Sequence, residues 1–569
     1  MALDGKSRGR QNYWILVALL CLLSVSIRIV IPIRPGFLGL HDDDWMVSNA
    51  YWLLNGEFVR PWSILAMNKE LGYPIFVAFS MFLRISPVLL THLIFVALAL
   101  LLTQVMSEFF SKRLNLYLLS ALVLNPAIFG LTASRIYRDM LTINLALGLL
   151  VIAIHFCKLG TLKLRARRVA VLSIIGFLLS MWLRMTRVDT YWLILVIAIA
   201  TGPLSITLIR QILKTRKVCI GELGVVVFLA AVCVGQIAAP IVSAQINDER
   251  YGVRLADDFF QGEFASLLRT WSSIEGGASP YTPINQGQRS VAYGESTYLK
   301  RLGPFIEGDF SSGWRSISCQ ATDVCDDIAG GYFAHAVRDA YSNVYPESSA
   351  GEFQQFMRRA NRELIQACSS GRISCGDRGI NTQLPSLWEL DWAGTVKVAG
   401  SFVLSRSLRF NDSLNFDSVG LVDGPNSVAW KSLLSRDLFT KSVNQNGTPS
   451  EIRSLLKSIF NLASWTISLT VSVGLLALTS LAFRQRHRLT AWIGLGSVIG
   501  VAAHAFVIGI AAQNSMGPLS FGGVWELTYL LQEIPFLVIA GTVGIEMLFF
   551  ALNQRKLTKQ SELVTTGVE

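Results

Sequence analysis

Charge is what this chain has least of. Only 16% of its 569 residues are Asp, Glu, Lys or Arg, where a soluble globular protein carries about 25%. That shortfall excludes a soluble enzyme. It equally excludes a disordered chain, which needs high charge and few apolar residues. Cysteine is sparse too, eight in all, too few for a secreted disulfide scaffold. No internal repeat and no low-complexity tract is present, and glycine and proline are scattered. What is abundant is apolar. Hydrophobic residues make up 52% of the chain and its mean hydropathy is +0.45. Many charge-free runs are long enough to cross a bilayer. The expected fold is therefore an α-helical polytopic membrane protein, since lipid leaves a single segment no other way to satisfy its backbone.

Ten spans are expected: Trp14–Ile33, Val88–Met106, Leu114–Leu131, Met140–Phe156, Val169–Leu183, Tyr191–Ile209, Ile220–Ala244, Ile459–Phe483, Leu489–Ala511 and Leu527–Leu552. The first is read as a retained span, because charged and Pro-rich sequence follows it without a small-residue cleavage pattern. An eleventh apolar piece, Tyr73–Leu83, is too short to span comfortably. Charge parity decides its reading. The basic clusters are Lys6/Arg8/Arg10, Lys112/Arg113, Lys158 to Arg168, Arg210 to Lys217, Arg484 to Arg488 and Arg555/Lys556/Lys559. All six fall on one side if Tyr73–Leu83 does not cross, as the positive-inside bias requires. It is read as an interfacial or re-entrant helix on the outer face, and both termini as cytoplasmic.

The net charge of +11 is thus a loop signal and not a nucleic-acid one. The polar stretch Ile246–Lys457 holds 21 Lys+Arg and 24 Asp+Glu, net −3, which leaves +14 for the rest. Three regions follow: 1–245, a seven-span catalytic core with an acidic first outer loop; 246–457, a mixed or mostly helical extracytoplasmic domain between spans seven and eight; and 458–569, three spans and a cytoplasmic tail. The middle region holds Cys319, Cys325, Cys368 and Cys375. Disulfides suit an oxidising compartment. Cys319–Cys325 with Cys368–Cys375 is the local pairing and crossed pairing the alternative. Zinc half-sites are disfavoured, because no His stands beside them at ligand spacing. Within this region Gly351–Cys368 places Phe353, Phe356, Met357, Ala360, Leu364 and Ile365 on one helical face.

Three outer segments of the first half carry charge of both signs. The first is His41-Asp42-Asp43-Asp44-Trp45. Carboxylates beside a bilayer are expensive to desolvate and tend to be functional when they face a cavity. A solvated loop capping a helix from Trp45 through Asp44 is the plainer alternative. No cofactor is certain, but a divalent cation is a further candidate at Asp42, Asp43 and Asp44. The second segment is Ser134-Arg135-Ile136-Tyr137-Arg138-Asp139. Two Arg on an outer corner break the positive-inside bias, which suits lipid headgroup contact or a phosphate clamp. The third is Arg184-Met185-Thr186-Arg187-Val188-Asp189, where an Arg187–Asp189 structural pair is the alternative to phosphate binding. Carboxylates and guanidiniums converging on one outward cavity suit a reaction with a general base and an anionic leaving group.

Four motifs in order resemble the GT-C superfamily of integral-membrane glycosyltransferases, which use polyprenyl-phosphate-linked sugars. They are DDDWMVSNAYWLLNG (Asp42–Gly56), GYPIFVAFSMFL (Gly72–Leu83), LNPAIFGLTASRIYRD (Leu124–Asp139) and LRMTRVD (Leu183–Asp189). The resemblance covers about residues 1 to 245. Near the C-terminus, LTYLLQEIPFLVIA (Leu527–Ala540) resembles the closing helix of the class, but Thr528 stands where many members carry Arg and Gln532 where Pro is common.

The resemblance implies direct displacement on the extracytoplasmic face. Asp43 is the implied general base, with Asp42 and Asp44 as rivals. Arg138, supported by Arg135 and Arg187, is expected to hold the donor phosphate, with His41, Tyr137 and Asp189 as supporting groups. The implied partners are a polyprenyl-phosphate sugar donor, an extracytoplasmic glycan, lipid or protein acceptor, and the bilayer. The expected location is a bacterial cytoplasmic membrane. The alternatives are a surface-polysaccharide polymerase or ligase, which would use a lipid-pyrophosphate donor, and a transporter. A transporter predicts charges at mid-membrane depth, which most of these spans lack.

Overall fold

The computed structural model describes residues 2–34, 40–57, 62, 66–67, 70–130, 132–159, 166–215, 220–276, 281–282, 284–376, 391–408, 416–417, 427–481, 489–511 and 531–566. Helices dominate them. The first half contains α1 (Ala2–Ile29), α2 (Leu40–Leu54), α3 (Gly72–Phe82), α4 (Pro87–Met106), α5 (Lys112–Val123), α6 (Asp139–Leu159), α7 (Ala166–Thr186), α8 (Tyr191–Thr215) and α9 (Ile220–Tyr251). Then follow α10 (Gly262–Ser272), α11 (Gln286–Glu295), α12 (Thr297–Glu307), α13 (Ser312–Thr322), α14 (Gly330–Val344), α15 (Ala350–Ser369), α16 (Trp392–Leu408), α17 (Ser427–Arg436) and α18 (Lys441–Asn446). The chain closes with α19 (Ser450–Leu481), α20 (Leu489–Ala511) and α21 (Ile534–Thr566).

Eight helices among the described residues are long and apolar enough to cross a membrane. They coincide with eight of the ten expected spans, and the chain is an integral membrane protein. One of the other two differs for a local reason. The expected Leu114–Leu131 span is a helix of only 12 residues, α5. Apolar sequence continues beyond it, but Pro126 disfavours helical geometry at Asn125. The Asn125 side chain instead accepts from the amide of Ala127 and starts a 3-10 turn over Pro126–Ile128. The expected Tyr191–Ile209 span lies within the 25-residue helix α8.

The short apolar piece forms α3, 11 residues long and mostly buried. Its start is pressed onto the end of α7. A Cβ on Gly72 would lie 2.6 Å from the Met185 carbonyl oxygen, so only glycine allows this approach. The Trp182 indole N–H donates to the Gly72 carbonyl at 2.9 Å across the same seam. Elsewhere, Gly474 of α19 lies against Gly541 and Gly544 of α21 with no room for a Cβ, as small residues allow in membrane helix pairs.

Two hydrophobic cores are separate. One joins the membrane helices. The other is built by α10–α15 around Trp271, Phe264, Phe353, Met357 and Leu364. The capping box of Ser349 and Glu352 starts α15 one residue before the amphipathic run begins. Disulfides join Cys319 to Cys325 and Cys368 to Cys375, the local pairing.

This second core docks on the segment between α2 and α3. The Arg338 side chain, 1% exposed, pairs with Asp258 at 2.5 Å and donates to the Ala66 carbonyl at 2.9 Å. Rings of Phe259, Phe264 and Phe353 surround its guanidinium at 5.3–5.7 Å. The Asp258 amide donates to the Met67 carbonyl, and Trp62 packs on Phe353. The described residues between 391 and 448 pack instead on the membrane helices. Trp392 of α16 stacks on Phe506 of α20. Asn444 of α18 accepts from the Ile33 amide, and Thr448 donates to the Val30 carbonyl.

Candidate active site

The acidic triplet is helical. α2 begins at Leu40, so Asp42 and Asp43 lie in its first turn and Asp44 is inside the helix, not its cap. Successive helical residues are about 100° apart, so three adjacent carboxylates fan out. Asp43, fully buried, accepts from Arg135 Nη2 at 2.5 Å and from Arg135 Nε at 3.1 Å. Asp42, partly exposed, accepts from the Tyr137 hydroxyl at 3.1 Å. Asp44 accepts from the Trp430 indole N–H of α17 at 2.5 Å. The side chain of His41 lies outside the described residues. Among the described residues, no three His, Cys, Asp or Glu side chains come together as a metal site would require.

The corner between α5 and α6 supplies the partners. A parallel bridge joins Arg34 to Arg135, with the Arg34 amide donating to the Ser134 carbonyl at 2.7 Å. Ser134 Oγ accepts from the buried Arg28 at 3.0 Å and donates to the Phe129 carbonyl at 3.2 Å. This pins the corner from below. The Arg135 guanidinium lies 4.5 Å from the centre of the Tyr137 ring, and Arg138 lies 5.3 Å from it. Burial opposes the Arg135 charge, but Asp43 more than offsets it and raises its pKa. Burial raises the Tyr137 pKa, so its hydroxyl keeps its proton and donates.

Arg138 pairs with Glu70, two residues before α3, at 2.8 Å, with 13% and 11% of the two side chains exposed. Burial of Arg138 is outweighed by the nearby Tyr137 and Glu70, which hold its pKa well above the usual value. Beyond it, Asp139 accepts from Arg187 Nη1 at 2.6 Å. Arg187 also grips Asp189 with both Nε and Nη2, at 2.5 and 2.9 Å. Arg187 therefore forms the structural pair with Asp189 and a second pair with Asp139. Burial works against the Asp189 charge, but Arg187 holds the Asp189 carboxyl well below its usual range.

The belt continues into the C-terminal helices. Asp189 lies 3.7 Å from His504 of α20. His504 meets Glu533 at 2.7 Å and the Gln532 amide at 3.0 Å, and its ring stacks on Trp192 at 5.0 Å. Both His504 and Glu533 are buried. Near Glu70, Asp257 has its pKa pushed up to about 7 by burial, by Asp258 and by Glu70. A small cleft opens there between Trp45, Glu70, Leu71, Ser243, Asn247 and Tyr251.

One continuous belt thus holds Asp42, Asp43, Arg135, Tyr137, Arg138, Arg187 and Asp189. Sequence reasoning missed Glu70, Trp430, His504, Glu533 and Asp257. His504 carried a usable signal, as an ionisable residue inside an apolar span. Glu70 carried a weaker one, standing just ahead of Gly72-Tyr73-Pro74. Thr528 lies outside the described residues, while Gln532 faces His504.

No family model matches the chain, and no curated protein matches it. The solved structures that are distantly similar include two in complex with a lipid phosphate. Archaeal oligosaccharyltransferase AglB from Archaeoglobus fulgidus, in complex with an inhibitory peptide and a dolichol-phosphate, is 10% identical with a TM-score of 0.39. That likeness covers 97% of this chain and 52% of AglB. ArnT from Cupriavidus metallidurans, bound to undecaprenyl phosphate, is 10% identical with a TM-score of 0.29, covering 92% of this chain and 77% of ArnT. The chain spans about half the length of the AglB chain. Likeness this distant decides nothing about activity, which is argued below from the site.

Proposed function

We propose that the chain is a glycosyltransferase that moves a sugar from a polyprenyl-phosphate-linked donor to an acceptor hydroxyl on the extracytoplasmic face. The supporting observation is the state of the three corner guanidiniums. Arg135 commits Nε and Nη2 to Asp43. Arg187 commits Nε, Nη1 and Nη2 to Asp139 and Asp189. Arg138 gives Nη1 to Glu70, while its Nε is buried without a partner among the described residues. A buried donor left unmade is costly and calls for an explanation. A phosphate oxygen suits it, since guanidinium presents a fork matched to phosphate.

Asp42 is the better-placed base. Asp43 is bound on both oxygens to a buried Arg135, and a proton taken there would strand that cation. Asp42 is partly exposed beside the Tyr137 hydroxyl. In the step, Asp42 takes the proton of the acceptor hydroxyl as its oxygen bonds to the anomeric carbon. The bond from that carbon to the phosphate oxygen breaks, and its electron pair leaves with the polyprenyl phosphate. Arg138 stabilises the charge that grows there.

The direct test is a titration of purified protein with decaprenyl phosphate. Arg138→Ala is expected to bind at least about tenfold more weakly than wild type, the scale of a lost charge-assisted contact, and to transfer more slowly. Equal affinity with unchanged transfer would leave Arg138 a headgroup contact and remove the basis of this reading.

Sidedness has its own test. Cysteines placed at the exposed Ser312 and Ser450 are expected to react with an impermeant thiol reagent from outside. Cysteines at Thr161 and Gln485, which lie outside the described residues, are expected to react only from inside. Reaction of the Thr161→Cys variant from outside would overturn the proposed orientation.

A further inference from the structure

The pairing of Arg138 with Glu70 raises a difficulty for any phosphate reading. The group best suited to bind the donor already holds a carboxylate, at 2.8 Å. A chemical asymmetry adds to it. A polyprenyl-phosphate sugar is a phosphodiester with one negative charge. The spent lipid is a phosphomonoester that gains a second. A clamp built for the developing charge therefore holds its product more tightly than its substrate, and release becomes the slow step.

The surroundings of Glu70 meet this difficulty. Both partners keep about a tenth of their side-chain surface exposed, 13% and 11%, so the pair sits at the mouth of the belt. Arg135–Asp43, at 3% and 0%, is sealed by comparison. Glu70 is also near enough to Asp257 for the two to repel, and burial, Asp258 and Glu70 together push the Asp257 pKa up to about 7. Asp258 is itself committed to Arg338. A Glu70 carboxylate driven off Arg138 loses its cation and keeps that repulsion. Its favourable place is back on the guanidinium. Arg138 also has its buried Nε without a partner among the described residues, beside the Nη1 that Glu70 uses. A phosphate oxygen that displaces the carboxylate can thus satisfy both donors.

We propose that Glu70 is a resident anion on Arg138, displaced by the donor phosphate and returning to drive off the spent polyprenyl phosphate. This rests on the lipid-phosphate reading above. The empty site keeps its guanidinium oriented and neutralised, and release proceeds by exchange of one anion for another rather than by baring a half-buried cation. An anion tethered to the site competes at a high effective concentration, so Glu70 sets the affinity for phosphate as well as holding Arg138.

The experiment uses the full-length protein in detergent and decaprenyl phosphate as the probe. Glu70→Gln keeps the shape and an acceptor oxygen but removes the charge. It is expected to bind the probe on the order of tenfold more tightly than wild type, the scale of one charge-assisted hydrogen bond. Its steady-state turnover is expected to fall further than its single-turnover rate, because product leaves more slowly. Glu70→Asp retracts the carboxylate by one methylene and is expected to tighten binding by a smaller factor. It serves if the Gln variant does not fold. In Arg138→Ala the Glu70→Gln change is expected to have no effect on affinity. Unchanged or weaker probe binding by either Glu70 variant, with wild type binding normally, overturns this proposal and spares the reading beneath it. Failure of wild type to bind decaprenyl phosphate overturns both.

Discussion

Asp42→Asn is expected to lower sugar transfer by about 10²–10⁴-fold, the usual contribution of general-base catalysis. The amide keeps the shape and still accepts from the Tyr137 hydroxyl, so decaprenyl phosphate binding and the melting temperature in detergent are expected to stay near wild type. Asp43→Asn is expected to behave differently. Asp43 is 0% exposed and Arg135 4% exposed, and neutralising one partner leaves a buried charge without compensation, at a cost of about 3–5 kcal/mol. That variant should lose stability first and activity as a consequence. The measurement pairs single-turnover transfer with thermal melting for both. A stable Asp43→Asn enzyme with no transfer, beside an active Asp42→Asn enzyme, would move the base to Asp43.

The second large effect is expected at His504. Its ring is 1% exposed and Glu533 is 0% exposed, within helices that cross the membrane. Leucine matches much of the volume but removes the hydrogen-bonding partner that Glu533 has in His504. His504→Leu is expected to destabilise the protein by about 3–5 kcal/mol, as for other broken buried pairs. It should also loosen the hold on Asp189, 3.7 Å away. His504→Gln keeps a hydrogen-bonding group and should recover part of the loss. Thermal melting in detergent checks both variants. A His504→Leu protein that melts with wild type would mean that the contact to Glu533 carries little energy.

The charged belt was legible in the sequence because polar residues in an apolar chain stand out. The Asp triplet, the Arg135–Arg138 corner and the Arg187–Asp189 corner all lie in it. Their pairing was not legible. Which of three successive carboxylates meets Arg135 depends on the rotational phase of α2, set by a start at Leu40. A helix capped by Asp44 would present a different face. Glu70, His504 and Glu533 were hidden because their partners come from distant segments, and sequence spacing carries no signal of that. The Leu114–Leu131 span failed for the opposite reason. Hydropathy there is continuous, but a single Asn-Pro step ends the helix, and hydropathy does not register backbone geometry. The six-cluster charge parity bears on orientation alone and says nothing of how the described residues of 391–448 pack on the membrane helices.

Both disulfides are local, closing separations of only 6 and 7 residues. Neither ties the α10–α15 core to the membrane helices. Among the described residues that attachment is made by a buried ion pair, two backbone contacts at Ala66 and Met67, and Trp62. Met67 is three residues from Glu70, a stretch of chain that reaches at most about 10 Å. The attachment of the α10–α15 core therefore lies within a few residues of the carboxylate that sits on Arg138, and a change that disturbs one contact is expected to be felt at the other.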